Sequence, residues 1–373
     1  MPDIPLARAE EIGLSPERLQ HVCDLLEQAV RADKIPGAAL CVGRKGAGLE
    51  PRFFGRQRPD PAAAALRKDA LFLVASITKP VTAVAVMMLL ERGRLSLEDP
   101  VVEWVPTFGR RGKETVLVRH LLTHTSGLPD MLPNDAKLRA AHKPLAAFVE
   151  EACELPLLFP PGTKVNYQST GFALLAEIVH QVTGTALADF LRKEVFEPLG
   201  MSDTSLGWRP EKKERIAVIR VGAEREKTDW HWNTPYWLGF GAPWGGLITS
   251  PADLAVFCRL MLNGGSLGGV RLLSPAAVRA MTTNQLLGMP LVPEEDRRCR
   301  PWGLGWKLQW PSGTENFGDL PGPRAYGHWG ATGTLCWIDP DREAFCLLLT
   351  TEPHENSHRS LRHVSNAVAA AVS

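Results

Sequence analysis

The sequence predicts an α+β fold: an antiparallel sheet flanked by helices, formed from both chain termini, with an inserted mainly helical domain. Three observations predict it. Strand-like runs stand near both ends, GAALCVGR from Gly37 and then GTLCWID and AFCLLLT between Gly333 and Thr350. Helical spacing dominates the middle of the chain. The last two strands are joined through Pro340-Asp341-Arg342, a turn too short for a parallel crossover. The sheet domain is expected over residues 1–80 and 215–373 and the helical domain over 81–214, with the functional cleft between them.

In chain order, Ser15-Pro16 is a helix start. Leu19, Val22, Cys23, Leu26 and Val30 then recur at helical spacing up to Ala32. GAALCVGR and PRFFG read as short strands with a turn over Lys45–Leu49. FLVAS (Phe72–Ser76) reads as a strand that runs into an apolar helix ending near Leu90. Apolar almost all round, that helix should be central and buried. Helical stretches follow over Val116–Leu122, Leu145–Cys153 and Phe172–Val182. WGLGWKLQW (Trp302–Trp310) reads as a strand before GTLCWID and AFCLLLT, and Leu361–Val372 closes the chain as a helix.

Composition narrows the function. Of 373 residues 45% are hydrophobic and 22% charged, which is globular and not disordered. Lys+Arg 42 against Asp+Glu 41 leaves +1, so the basic excess that phosphate binding needs is missing and no nucleic-acid partner is expected. The longest apolar run, Val81–Leu90, is too short to span a bilayer, so no membrane partner is expected. Seven scattered cysteines without a CxxC pair read as reduced thiols. With no apolar leader at the N-terminus, the expectation is a cytoplasmic protein. Oligomeric state is open.

Three segments could carry chemistry. In Ser76-Ile77-Thr78-Lys79, one helical turn puts the hydroxyl and the amine on one face, about 5 Å apart. A desolvated, neutral lysine can take a serine proton, and a helix start offers N–H groups to an oxyanion. The competing reading is an N-cap serine with a solvated lysine, but a lysine that opens a buried helix is rarely idle. Tyr167, followed by Gln168-Ser169, stands at a loop-to-helix junction where a phenol can move a proton; the plainer reading is a packed aromatic. The glycine-punctuated Gly327-His328-Trp329-Gly330-Ala331-Thr332-Gly333 could bring strand N–H groups close to a ligand, or could be a sheet corner.

Ser76-x-x-Lys79, VRHLLTHTSGLPD (Val118–Asp130), PGTKVNYQSTGFALLAEIV, EPLGMSDTS, GGLITSPADLAVFCRLMLNGG and GHWGATGT follow one another in this order. Together they resemble the serine β-lactamase-like superfamily, with class C β-lactamases, D-amino-acid-peptide hydrolases and family VIII carboxylesterases as the nearest branches. The resemblance spans about Ile35 to Glu352. It implies that Ser76 is the acylated nucleophile, Lys79 its proton acceptor and Tyr167 the base and leaving-group proton shuttle. The N–H groups of Ser76 and Ala331 would form the oxyanion hole, and no metal or cofactor would take part. Two motifs depart from the family. Tyr-x-Asn is Tyr167-Gln168-Ser169, and Lys-Thr-Gly is His328-Trp329-Gly330, which exchanges a permanent cation for a titrating imidazole. Ser169, His328, Trp329 and Gly330 are therefore expected to face substrate, and the losses fall on anionic-substrate recognition. A small-molecule ester or amide is the implied substrate, with a carboxylesterase ahead of a β-lactamase or D-amino-acid peptidase; a silent binding homologue is the alternative from another class.

Other motifs carry less. Gly264-Gly265-Ser266-Leu267-Gly268 matches a GxSxG elbow but follows a helix, the wrong context for a nucleophile. His120/His124 and His354/His358 have metal-compatible i,i+4 spacing without supporting ligands and read as packing or surface histidines. In the aromatic stretch Trp230–Trp244, Trp237 and Trp244 are candidate walls of the acyl or alcohol pocket, with core packing as the competing reading.

Overall fold

The computed structural model describes residues 4–310 and 316–372. Ser15 opens α1 (Pro16–Arg31): its hydroxyl accepts from Arg18 N–H, and Pro16 stands in the first turn, where an N–H has no helical partner. The strands that follow are β1 (Gly37–Arg44), β2 (Ala47–Gly48), β3 (Arg52–Gly55), β4 (Phe72–Leu73), β5 (Ser205–Leu206), β6 (Leu247–Thr249), β7 (Ser266–Leu267), β8 (Val270–Arg271), β9 (Lys307–Leu308), β10 (Tyr326–Gly330), β11 (Thr334–Asp339) and β12 (Ala344–Thr350). The helices that matter for the site are α2 (Thr78–Glu91), α3 (Val118–Leu122), α4 (Leu145–Glu154), α5 (Thr170–Thr183) and α6 (Pro251–Leu262); α7 (His354–Ala371) ends the chain.

The main sheet runs β2-β1-β12-β11-β10-β9, with β3 also paired to β1, and every pairing is antiparallel. Its centre joins the two ends of the chain: Ala38 faces Thr350 and Arg44 faces Ala344. Both faces are covered, which is why these strands read as unbroken apolar runs rather than alternating ones. Ala38, Leu40, Val42, Trp337, Cys346 and Leu348 belong to a core shared with α1 and α7. Ala39, Cys41, Cys336, Phe345, Leu347 and Leu349 belong to the larger core that holds α2, α5 and α6. As its composition predicts, α2 is buried at every position from Thr78 to Leu89. No single helix among the described residues is long and apolar enough to cross a membrane.

Three elements differ from their sequence pattern. FLVAS forms only the two-residue β4, because the carbonyls that would continue the strand are taken by side chains. Thr332 Oγ1 donates to Leu73 O at 2.7 Å and Thr334 Oγ1 to Val74 O at 3.0 Å. The chain then turns through a 3₁₀ segment, Ala75–Ile77, so Ser76 precedes α2 instead of opening it. WGLGWKLQW contributes only β9. Leu304 N–H and Gly305 N–H leave the sheet for Met281 O and Leu122 O, and Gly305 turns in the left-handed region. The last helix starts at His354, seven residues before Leu361, set off by the fixed backbone of Pro353. Ser266 begins the small β7–β8 hairpin after α6, and no strand-to-helix elbow forms there.

Candidate active site

Between Ala70 and Leu89 only Ser76 is not buried. It is carried on a strained turn: Ala75 has φ 45°, a left-handed conformation that a residue with a Cβ adopts at a cost. One turn on, Lys79 is fully buried. Its Nζ lies 3.2 Å from Ser76 Oγ, 2.7 Å from Tyr167 OH, 3.2 Å from Ser169 Oγ and 3.3 Å from the Trp244 carbonyl. Three of these four neighbours are side-chain hydroxyl oxygens and the fourth is a carbonyl. Burial pushes the Lys79 pKa down to about 7, partly opposed by the charge of Asp130. An ammonium can only donate. A neutral amine can donate to the Trp244 carbonyl and still accept from a hydroxyl.

Tyr167 reaches the lysine from the loop before α5. Asp130 anchors the start of that helix: its carboxylate accepts from Ser169 N–H at 2.9 Å, and its carbonyl accepts from the Ser169 and Thr170 N–H groups. Ser169, expected to face substrate, is instead buried with its hydroxyl turned to Lys79. Tyr167 packs against His124, with ring centroids 4.7 Å apart, and against Trp302 at 5.8 Å.

The third side is the end of β10. A Cβ on Gly330 would stand 2.3 Å from Val74 O and 3.2 Å from Ala75 Cβ, so only glycine lets this strand close on the Ser76 turn. Ala331 follows it, its carbonyl held by His354 N–H. His328 is buried. Its ring nitrogen Nδ1 lies 2.7 Å from Trp329 O and must donate there, since a carbonyl only accepts. Burial, and next the charge of Lys79, hold the His328 pKa well below the ordinary histidine value, so the imidazole is neutral. Trp329 is half-buried, stacked on His354 with centroids 4.4 Å apart and 6.3 Å from the Tyr167 ring.

Ser76, Lys79, Tyr167, Ser169, His328, Trp329 and Gly330 are thus brought together. Trp244 joins them through its carbonyl, while its ring packs on Phe148 and Phe240. Trp237 does not join them: it is buried against Phe240 and beneath the Arg139 guanidinium, in the aromatic core. Residues the sequence did not point to are Asp130, Trp302 and, above all, His124, which had the signature of a packing histidine. Among the described residues no three His, Cys, Asp or Glu side chains converge as a metal ion would need.

Comparison with known proteins gives the family and the fold. The family model described as Beta-lactamase matches residues 22–371. A curated relative from Escherichia coli (strain K12), named "Putative D-alanyl-D-alanine carboxypeptidase", is 29% identical over 380 residues, covering 92% of this chain and 85% of the relative. Among solved structures, a penicillin-binding protein homologue from Caulobacter crescentus superposes with a TM-score of 0.78 at 24% identity, covering 96% of this chain and 99% of the other. A family VIII carboxylesterase superposes with a TM-score of 0.75 at 20% identity, covering 95% and 99%.

Proposed function

The chain belongs to the β-lactamase family and is a serine hydrolase, and on that premise we propose that it is a carboxylesterase acting on small to medium hydrophobic esters through an acyl-enzyme at Ser76. The observation that carries the reading is Lys79 Nζ, buried and within hydrogen-bond reach of both Ser76 Oγ and Tyr167 OH. Neutral Lys79, with Tyr167, takes the Ser76 proton as Oγ bonds to the ester carbon. The carbonyl electrons move onto oxygen, held by the N–H groups of Ser76 and Ala331. Collapse breaks the bond to the alcohol, which leaves with a proton from Tyr167. Water then adds to the acyl carbon by the same proton route and releases the acid.

Neutral, buried His328 and the Trp329 indole support an uncharged substrate. The neutral imidazole itself offers a carboxylate no full charge, and losing a charge-assisted hydrogen bond costs about 1.5–3 kcal/mol. The domain division expected from the sequence and a cytoplasmic location remain part of this reading; the seven free thiols support a reducing compartment. The second reading, hydrolysis of D-amino-acid peptides at the same serine, is favoured by the carboxypeptidase name of the 29% identical relative.

The test is a side-by-side assay of p-nitrophenyl butyrate, a chromogenic cephalosporin and a D-alanyl-D-alanine peptide, with intact-mass detection of the adduct. The ester should exceed the others in kcat/KM by at least about a hundredfold. Comparable turnover of the cephalosporin or the peptide would replace the esterase with the second reading or the β-lactamase.

A further inference from the structure

His124 occupies a position that suits glycine. It follows α3 with φ 61°, and Thr125 N–H returns to His120 O at 3.0 Å, the helix end in which a left-handed residue is usually glycine. A residue with a Cβ costs about 1 kcal/mol there, so the side chain must give something back.

What it gives is a grip on Gln168, next to Tyr167, added to the main-chain bond that the turn already makes to Asn166 on the other side. Asn166 N–H donates to the His124 carbonyl at 2.8 Å, and Gln168 N–H donates to His124 Nδ1 at 3.1 Å. The imidazole itself packs against the rings of Tyr167, 4.7 Å away, and Trp302, 4.3 Å away and edge-on, which also pack on each other. Because a peptide N–H can only donate, Nδ1 must carry a lone pair, which leaves the proton on Nε2. Protonating the ring would break the Gln168 bond. Burial opposes that first, and so does Lys79 in its charged form. The Gln168 side chain completes the dock, donating to His120 O and Leu121 O and accepting from Ser126 Oγ.

We propose that His124 is the positioning residue of the Tyr167 phenol: a neutral imidazole, locked with its proton on Nε2, that packs on the Tyr167 ring and accepts from the backbone N–H of Gln168 next to it. This rests on the reading of Tyr167 as the proton shuttle. It gives a residue outside the Ser-Lys-Tyr group a catalytic consequence with no contact to substrate.

The test compares His124→Asn, His124→Phe and His124→Gly with Tyr167→Phe on p-nitrophenyl butyrate, with thermal unfolding of each. Asparagine tolerates the left-handed backbone and keeps an acceptor near Nδ1, so its kcat should stay within about tenfold of wild type. Phenylalanine keeps the ring packing without the acceptor. A misplaced phenol should then cost about a hundredfold in kcat, with KM little changed. Glycine should lose kcat as phenylalanine does while unfolding no earlier than wild type. In 15N NMR of the wild type, His124 Nδ1 should be unprotonated across the neutral range. A protonated Nδ1, a His124→Phe enzyme with near wild-type kcat, or kcat that simply follows thermal stability across the three variants would each overturn the proposal. If His124→Phe does not fold, the Asn and Gly variants and the NMR assignment still decide. Full turnover by Tyr167→Phe would overturn the proton-shuttle reading itself.

Discussion

Two of the buried lysines sit in different surroundings. Lys113 donates to three carbonyls, those of Ala152, Cys153 and Leu155 at the end of α4, and burial holds its pKa below the ordinary lysine value. Lys79 has hydroxyls and one carbonyl around it and a pKa near 7. Its neutral form is the proton acceptor, so kcat/KM should rise tenfold per unit as pH climbs toward about 7 and level off above; a flat profile from pH 5 to 9 would remove Lys79 from the mechanism. Stability has the same sign. Between about 7 and the ordinary 10.5 the unfolded chain holds a proton that the folded chain lacks, so stability rises with pH in that window. The margin by which Lys79→Met is more stable than wild type should therefore shrink by about 1.4 kcal/mol per pH unit there, read from urea unfolding. Ser76→Ala should abolish the adduct mass and lower turnover by at least about a thousandfold, and Lys79→Ala combined with Tyr167→Phe should be little worse than the poorer single variant. Additive losses would mean that one of the pair is only structural. Ser76, Lys79 and Tyr167 drew attention through local pattern, a hydroxyl and an amine three positions apart and a phenol before a helix, and their expected roles came from the resemblance of the ordered motifs. His124 was not legible in this way, because its meaning lies in a bond to Gln168, 44 residues away.

At the scale of elements, the nucleophile turn is shaped from outside. Thr332 and Thr334 hold the carbonyls of Leu73 and Val74, and Gly330 leaves room for the Val74 carbonyl. Gly330→Ala should push β10 off the turn, lowering kcat by about a hundredfold while circular dichroism stays that of wild type. An unchanged kcat would show that the two elements can separate freely. This is also where the sequence pattern misled. FLVAS and WGLGWKLQW have strand composition, but their backbone groups are claimed by threonine hydroxyls and by loop contacts that no local pattern encodes. Where pairing is strand to strand, as in GAALCVGR, the reading matches β1 residue for residue.

At the scale of the whole molecule, the α+β fold was legible because a sheet covered on both faces leaves long apolar strands, and the tight turn at Pro340–Arg342 leaves only an antiparallel answer. The two faces also separate stability from chemistry. Leu348 is fully buried in the core shared with α1 and α7, away from the face that holds α2. Leu348→Ala should cost about 2–5 kcal/mol in urea unfolding yet leave kcat per folded molecule unchanged; a large loss of kcat would show that the faces communicate. The central pairing of Ala38 with Thr350 has a consequence for biogenesis. During synthesis β1 emerges some 312 residues before Thr350 (350 − 38), so at roughly 5–20 residues per second it waits about 15–60 s with only β2 and β3 to pair with and its β12 edge open. Until the last fifth of the chain leaves the ribosome the sheet has no centre, and the nascent protein presents to the cell a segment that chaperones, or other nascent chains, are free to bind.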